Sequence, residues 1–379
     1  MKKLFVMLSV AVLSIVTAHS QNLGTVVFQK GENGFDTYRI PAIVMAKDGT
    51  LLAFAEARKH SRSDTGDIDL VLKRSTDGGK TWGNIITVWD DQENVCGNPA
   101  PVVVSKTGRV ILLSTWNHGK DHTGNIRERT GIDTRRVFMM YSDDNGSTWS
   151  KPQEITGAVK LPEWTWYATG PCHALETSKG RLIVPCNHGI SVDGKPAGSH
   201  SHVIYSDDRG MTWNIGGCPL VGDESTVVEL SDGSIMMNMR GPRDKERERK
   251  YSSSRFVAVS HDGGETFCKP YNDKSLIEPV CEGSIISYSR SGKNKGHLLF
   301  SNPEHKTKRQ NLTIKQSRDD GKTWTTVYTV TEGPTAYSDL TVMRNGDVGV
   351  LYESGVKMSY EYISFQRIPA KVFKNKSRK

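Results

Sequence analysis

The sequence predicts an all-β protein, a six-bladed β-propeller with four-stranded antiparallel blades, and three observations carry that prediction. An octet Ser-x-Asp-x-Gly-x-Thr-Trp recurs along the chain. Each copy follows a short β-rich run, and further runs led by glycine or a turn residue fill the intervals between copies.

The octets are "STDGGKTW" from Ser75, "SDDNGSTW" from Ser142, "SDDRGMTW" from Ser206 and "SRDDGKTW" from Ser317, with a fifth, "SHDGGETF" from Ser260, that ends in Phe267. Their starts are 67, 64, 54 and 57 residues apart, too regular for chance and too far for a helical hairpin repeat. Before them stand "IDLVLKRS", "RVFMMYS", "SHVIYS", "RFVAVS" and "NLTIKQS", so the unit is strand, tight turn, strand. In the turn, Asp bonds nearby backbone amides, Gly takes a conformation that side chains resist, and the aromatic is expected to pack back on its own hairpin. The octet aspartates are therefore read as folding residues rather than metal ligands or catalysts.

The runs "GTLLAFAE", "GRVILLSTW", "GRLIVPCN", "GSIMMNMR" and "GHLLFSN" supply the remaining strands, about four per unit as in a propeller blade. Five octet-bearing units leave the N-terminal "GTVVFQ" and the C-terminal "YEYISFQRI", whose pairing would complete a sixth blade and close the ring. A β-sandwich is the runner-up, but it predicts no such periodic turn.

The first residues, "MKKLFVMLSVAVLSIVTAHSQ", pair Lys2 and Lys3 with a short apolar run and a small-x-small site at Ala18-His19-Ser20. Residues 1–20 are read as a secretory signal and 21–379 as a single propeller domain, exported to a periplasm, cell surface or medium. A membrane anchor competes poorly, because the apolar run ends early in small polar residues. No membrane span is expected in the mature chain.

Losing Lys2 and Lys3 lowers the formal net charge from +8 to +6, which suits an anionic substrate but is also an ordinary solubility charge. The string "RDKERERK" (243–250) alternates in sign, which reads as a solvated loop and not as a nucleic-acid patch. The tail "KVFKNKSRK" is expected to fray. Cys96, Cys172, Cys186, Cys218, Cys268 and Cys281 show no paired C-x-x-C spacing, and the eleven histidines form no ligand cluster in sequence. No metal or other cofactor is expected, and the cysteine pairing stays open.

In a propeller, functional groups converge from several blades, so the polar residues that interrupt apolar strands are the ones to collect. Arg39 in "DTYRIPAIV", Arg58 ending "FAEAR", Arg240 ending "SIMMNMR" and Arg309 in "KRQNLTI" recur at comparable places in their units. Arg39 lies in a run that reads as a buried strand, so its charge requires a partner.

With "YRIP", "FAEAR" and an aspartate six residues on, "GNPAPV", "DESTVVEL", a later Arg, a late Tyr and the octets in this order, the chain resembles the exo-acting sialidases (neuraminidases) of bacterial and animal type over essentially its whole mature length. The resemblance implies a glycoside hydrolase acting on sialylated glycoproteins, glycolipids or oligosaccharides. It implies that Arg39, Arg240 and Arg309 bind the sugar carboxylate, a role that suits the bidentate guanidinium. Glu353 in "LYES" would hold the first arginine in the empty site.

By the same resemblance, Tyr337 in "PTAYSDL" is the nucleophile and Glu224 its base, in a tyrosyl-enzyme mechanism with net retention. A neutral phenol avoids the repulsion that a carboxylate would meet at a carbon bearing a carboxylate. Asp223 and Glu229 compete for the base. Asp64 matches the general acid by its spacing from Arg58, with Asp67 and Asp69 given structural roles. Arg58 resembles the contact to the 4-hydroxyl, and Asn98 occupies a similar pocket position.

The segment "ATGPCHALE" (168–176) departs from the family's usual glycine-rich pattern at Cys172 and Ala174 and is expected to shape the aglycone side, on which linkage preference depends. Trp164 and Trp166 are equally readable as sugar-stacking residues or as packing between blades. The rivals are a trans-sialidase of the same site, a non-catalytic octet-bearing propeller, and an enzyme for deaminated sialic acid. A binding propeller predicts loss of Asp64, Glu224 or Tyr337, and all three are present.

Overall fold

The computed structural model of the protein describes residues 24–193, 195–241, 253–289 and 295–374. Residues 1–20, read above as a signal, and the charged string at 243–250 lie outside the described residues. No helix among the described residues is long and apolar enough to cross a membrane.

The strand pairings divide into six four-stranded antiparallel groups, consistent with six blades. Blade I holds Thr37–Met45, Leu51–Arg58, Ile68–Ser75 and Ile86–Trp89; blade II holds Val95–Val103, Val110–Asn117, Arg136–Ser142 and Gln153–Glu154. Blade III holds Trp164–Thr169, Leu182–Val192, Lys195–Ser206 and Asn214–Ile215, and blade IV holds Ser225–Glu229, Ile235–Met239, Ser254–Ser260 and Tyr271–Ile277. Blade V comprises Ser284–Ser289, His297–Pro303, Gln310–Ser317 and the first part of Thr325–Val342, whose second part opens blade VI with Val348–Ser354 and Tyr362–Ile368.

Thr25–Gln29 is the outer strand of blade VI: Thr25 pairs with Phe365 and Gln29 with Tyr362, so the two chain ends close the ring as the unassigned sequence predicts. Closure buries Val27 and Phe28 in one cluster with Tyr38, Leu51, Leu351 and Phe365. The tail is ordered further than expected. Phe373 is fully buried and its carbonyl accepts from Arg318 Nη2 at 2.6 Å, because its ring joins the apolar cluster of the last two blades with Leu340, Val348 and Ile368.

All five octets fold alike. In the first, Ser75 Oγ donates to Asp77 Oδ1 (2.8 Å), Gly79 N donates to Ser75 Oγ (2.9 Å) and Thr81 Oγ1 donates to Asp77 Oδ2 (2.7 Å). The same serine-to-aspartate bond is 2.8 Å at Ser142, 2.8 Å at Ser206, 2.7 Å at Ser260 and 2.7 Å at Ser317. The aspartates are therefore consumed by their own turns, as their chemistry predicts.

The aromatic does not pin its own hairpin. Trp82 of blade I packs edge-on against Phe365 of blade VI (centroids 5.4 Å), Trp149 of blade II against Phe54 of blade I (5.7 Å), and Trp213 of blade III donates to the sulfur of Met139 of blade II (3.4 Å). The apolar surface to be covered lies between blades, so these three octets rivet their blades to the one before, whereas Trp324 packs edge-on against Phe300 of its own blade V (6.0 Å).

The octets follow third strands. The starts of the inner and third strands and the ends of the second strands lie on the opposite face by antiparallel register, which is where the candidate residues collect.

Candidate active site

Three inner strands carry a β-bulge where a site residue stands. Register slips between Arg39 and Ala42, between Gly97 and Ala100, and between Thr335 and Ser338. A bulge bends the strand and re-aims one side chain, and here it concerns Arg39, Asn98 and Tyr337. Ile40, φ +58°, and Asn98, φ +55°, take the left-handed conformation. For a β-branched isoleucine this costs on the order of 1–3 kcal/mol, which the surroundings must offset.

Glu353, fully buried on the second strand of blade VI, supplies that offset. It accepts from Arg39 Nε at 2.6 Å, from Ile40 N at 3.0 Å and from Tyr337 N at 3.1 Å. The partner of Arg39 in this structure is thus Glu353. Arg39 also lies 4.2 Å over the Tyr360 ring and 5.3 Å from the Tyr337 ring centre.

Arg240 follows the second strand of blade IV and donates from Nη2 to Asp223 Oδ2 (2.8 Å) and from Nη1 to the Tyr337 hydroxyl (3.0 Å), with Nη1 also 2.5 Å from Glu224 Oε2. Arg309 donates to the Tyr360 hydroxyl (3.0 Å) and the Val280 carbonyl (2.9 Å), with its guanidinium 5.3 Å from the Tyr337 ring. Arg39, Arg240 and Arg309, from blades I, IV and V, therefore surround one phenol.

The Tyr337 hydroxyl donates to Glu224 Oε1 in a very short hydrogen bond. Burial, followed by the Glu224 charge, holds the Tyr337 pKa well above an ordinary phenol's against the pull of Arg240 and Arg309. Burial also raises Glu224, opposed by Arg240 and aided by Asp223. The phenol is therefore held neutral, its proton in a hydrogen bond to a buried carboxylate whose proton affinity is raised.

Of the competing carboxylates, Asp223 is occupied by Arg240. Burial raises its pKa, but Arg240 outweighs this and holds it low. Glu229 accepts from Ser178 N (2.8 Å) and Oγ (2.6 Å) at a junction of blades III and IV.

Asp64 lies on the loop after blade I's second strand, its side chain 65% exposed and 2.8 Å from Arg58 Nη1. The neighbouring protein disfavours its charge, yet Arg58 and then Arg39 outweigh this and leave its pKa below the ordinary value. Asp69 is buried, its pKa pushed up to about 7 by burial, then by Asp90 and Asp67. Asp67 accepts from Lys59 N through its carbonyl, holding the base of the loop.

Arg58 is also held by Glu56, which accepts from Nη2 at 2.6 Å and Nε at 3.1 Å. Glu56 accepts from Asn98 N at 2.8 Å as well, and Asn98 Oδ1 accepts from Arg135 Nη2 at 2.6 Å and Thr115 Oγ1 at 3.1 Å. Asn98 thus faces a buried arginine that sequence reading missed. Arg135 in "DTRRV" carries no motif, and nothing local says which arginine turns inward. Glu56 had a legible signal, since it stands two residues from Arg58 on the same strand face.

Trp164 is buried and stacks on His188 at 3.7 Å, which resolves it as packing. Trp166 is partly exposed, with the Arg135 guanidinium 3.9 Å over its ring. The 168–176 segment does not form an aglycone loop. Cys172 and Ala174 are buried, His173 Nδ1 lies 2.7 Å from Asp339 Oδ1, and Ala174 N donates to Pro101 O, so the segment is a strap among inner strands. Small apolar side chains there satisfy packing.

Residues 49–350 match the BNR repeat-like domain. The chain is 33% identical to a sialidase of Bacteroides fragilis over 95% of its own length and 68% of the relative's, and 30% identical to Sialidase-3 of Mus musculus over 91% and 94%. It spans about half, 52%, of a 32% identical sialidase of Micromonospora viridifaciens. The solved structure of a microbial sialidase, Hz136, superposes with a TM-score of 0.80 at 31% identity, covering 92% of this chain and 68% of that one. The intramolecular trans-sialidase of Ruminococcus gnavus shares the fold, at a TM-score of 0.72 and 20% identity over 93% and 98% of the two chains. A shared domain over most of the chain, and relatives at this identity, place the chain in the sialidase family of glycoside hydrolases.

Proposed function

We propose that the protein is an exo-α-sialidase that releases terminal sialic acid from glycoproteins, glycolipids or oligosaccharides with net retention, through a tyrosyl-enzyme intermediate. The observation that carries this reading is the Tyr337 hydroxyl bonded to Glu224 inside a ring formed by Arg39, Arg240 and Arg309. Three guanidiniums converging on one point match a ligand carboxylate and give little reason to converge otherwise.

With the sugar carboxylate on the three arginines, the anomeric carbon faces Tyr337. The phenol oxygen attacks that carbon while Glu224 takes its proton, and Asp64 protonates the departing glycosidic oxygen. Ligand charge on Arg39 weakens one of the three arginine fields, from Arg58, Arg39 and Arg135, that hold Asp64 ionised, which favours its acid form in the complex. Asp64 then takes a proton from water, whose oxygen attacks from the face the glycosidic oxygen left, opposite Tyr337, and displaces the tyrosine, and Glu224 returns the proton to the phenolate. Two inversions give retention. Arg58 and Asn98 line the ring side, where Arg58 would meet the 4-hydroxyl.

The N-terminal signal supports export of this enzyme, and amino-terminal sequencing of protein recovered outside the cytoplasm checks cleavage near Gln21. The deciding experiment is release of 4-methylumbelliferone from its N-acetylneuraminic acid glycoside by the mature chain, with Tyr337→Phe as control. Release that the mutant lacks supports the reading; no release from folded wild type rejects it in favour of a binding propeller or a different nonulosonic acid.

A further inference from the structure

The hairpin Leu182–Val192/Lys195–Ser206 of blade III sets His188 directly across from His200 in its antiparallel register. After Asn214–Ile215 the chain runs back along the hairpin, where Val203 N donates to Gly217 O (3.2 Å) and Ser201 N to Val221 O (2.9 Å), and this carries Cys218 beside the histidines. One donor atom from each of His188, His200 and Cys218 lies within 4.8 Å of the other two. Separations of twelve and eighteen positions match no metal motif, which is why the histidines do not read as clustered in sequence.

We propose that His188, His200 and Cys218 bind a zinc-class divalent ion that ties the blade III hairpin to the loop leading into Glu224. Two imidazoles and a thiolate are the ligands of a borderline-soft ion, and the trio offers no oxygen for calcium or magnesium. A tetrahedral ion would take water as its fourth ligand.

The surroundings of His188 resemble an outer ligand shell. Its Nδ1 lies 3.0 Å from His202 Nδ1, and His202 Nε2 lies 3.0 Å from the Tyr167 hydroxyl. When the proton on His188 Nδ1 is donated to His202 and that on His202 Nε2 to Tyr167, His188 keeps an unprotonated Nε2. A ligating histidine ordinarily donates its second ring nitrogen in this way. Trp164, stacked 9° from parallel, fixes the plane of the His188 ring.

Tetrahedral zinc sets nitrogen and sulfur donors about 3.3–3.6 Å apart. The trio therefore needs to contract by at most about 1.2–1.5 Å, which rotation of the partly exposed His200 and Cys218 allows. Burial raises the Cys218 thiol, so the ion must displace its proton on binding. Ser201 Oγ already donates to the Asp223 carbonyl (2.6 Å), so the ion would reinforce an existing latch beside the site without joining the chemistry.

The test is cobalt titration of the tag-free, chelator-stripped mature chain. The proposal expects one equivalent bound, with a thiolate-to-cobalt charge-transfer band and the visible bands of a tetrahedral ion, both displaced by zinc. Cys218→Ser should lose the charge-transfer band, the exposed Cys268→Ser should keep it, and His200→Ala should weaken binding about tenfold or more. Zinc should raise the Tm of wild type and not that of Cys218→Ser. If metal-free Cys218→Ser melts abnormally, His200→Gln takes its place and should likewise lose the zinc-induced rise. Absence of a thiolate band in wild type, or a band that persists in Cys218→Ser and vanishes in Cys268→Ser, overturns the proposal.

Discussion

Glu353 and Glu56 do the same work in successive blades: each stands on a second strand, accepts from the bulged backbone amide of the next blade, and holds an arginine. Glu353 accepts from Ile40 N and Arg39, and Glu56 accepts from Asn98 N and Arg58. One carboxylate thereby sets both a strained backbone and the direction of a guanidinium, so arginine placement and blade-to-blade geometry are a single feature.

Removal of Glu353 tests this directly. Glu353→Ala leaves Arg39 buried without its carboxylate and Ile40 N without its acceptor, and should destabilise the fold by about 3–5 kcal/mol in denaturant unfolding. Glu353→Gln keeps one acceptor and should lose less. Equal stability of Glu353→Ala and wild type would mean that the bulge is held by other contacts.

Tyr337→Phe should lower kcat by roughly three orders of magnitude or more while sialic acid still binds, because the three arginines remain. Arg309→Ala should instead weaken substrate and carboxylate-bearing transition-state mimics together. Steady-state kinetics and inhibitor titration separate the two patterns.

Asp64→Asn should hurt natural glycans far more than aryl sialosides, whose leaving groups need little protonation. Equal losses on both would move the acid role away from Asp64.

The pH profile follows from Glu224. Its pKa is raised chiefly by burial, with Asp223 adding to the rise and Arg240 opposing it, so the acid limb of kcat/KM should lie above an ordinary glutamate's pKa. Asp223→Asn removes one negative charge and leaves Arg240 closer to Glu224 alone; both effects favour the ionised base, and the limb should move to lower pH. Movement to higher pH would contradict Glu224 as the titrating base.

Asp69 makes a stability prediction with its own sign. Its folded pKa of about 7 exceeds the unfolded carboxylate value, so the native state binds more protons between about pH 4 and 7 and stability falls as pH rises through that window. Asp69→Asn should therefore stabilise the protein on the order of 2 kcal/mol at pH 8 and little at pH 4. Melts at the two pH values check it.

The fold was legible because its signal is local and repeated. An octet such as "STDGGKTW" contains every partner of its own turn, and the apolar runs between octets state their strands residue by residue. The site residues were legible as an ordered set of motifs, and the structure brings Arg39, Glu224, Arg240, Arg309 and Tyr337 together. The sequence did not show which surface the octet tryptophan covers, that the 168–176 segment is buried, or that Phe373 is packed.

By itself, then, the sequence determined the strand-turn-strand unit, its repetition and the pool of charged residues, since each depends on neighbours within about ten positions. Tertiary structure alone decided the partnerships. Arg39 and Glu353 are 314 positions apart, Tyr337 and Glu224 are 113 apart, and the bulges that aim Arg39, Asn98 and Tyr337 exist only where an inner strand must pair with its second strand while facing the axis. His188 and His200 meet for the same reason, because strand register, which no local pattern of these residues encodes, sets which side chains face each other.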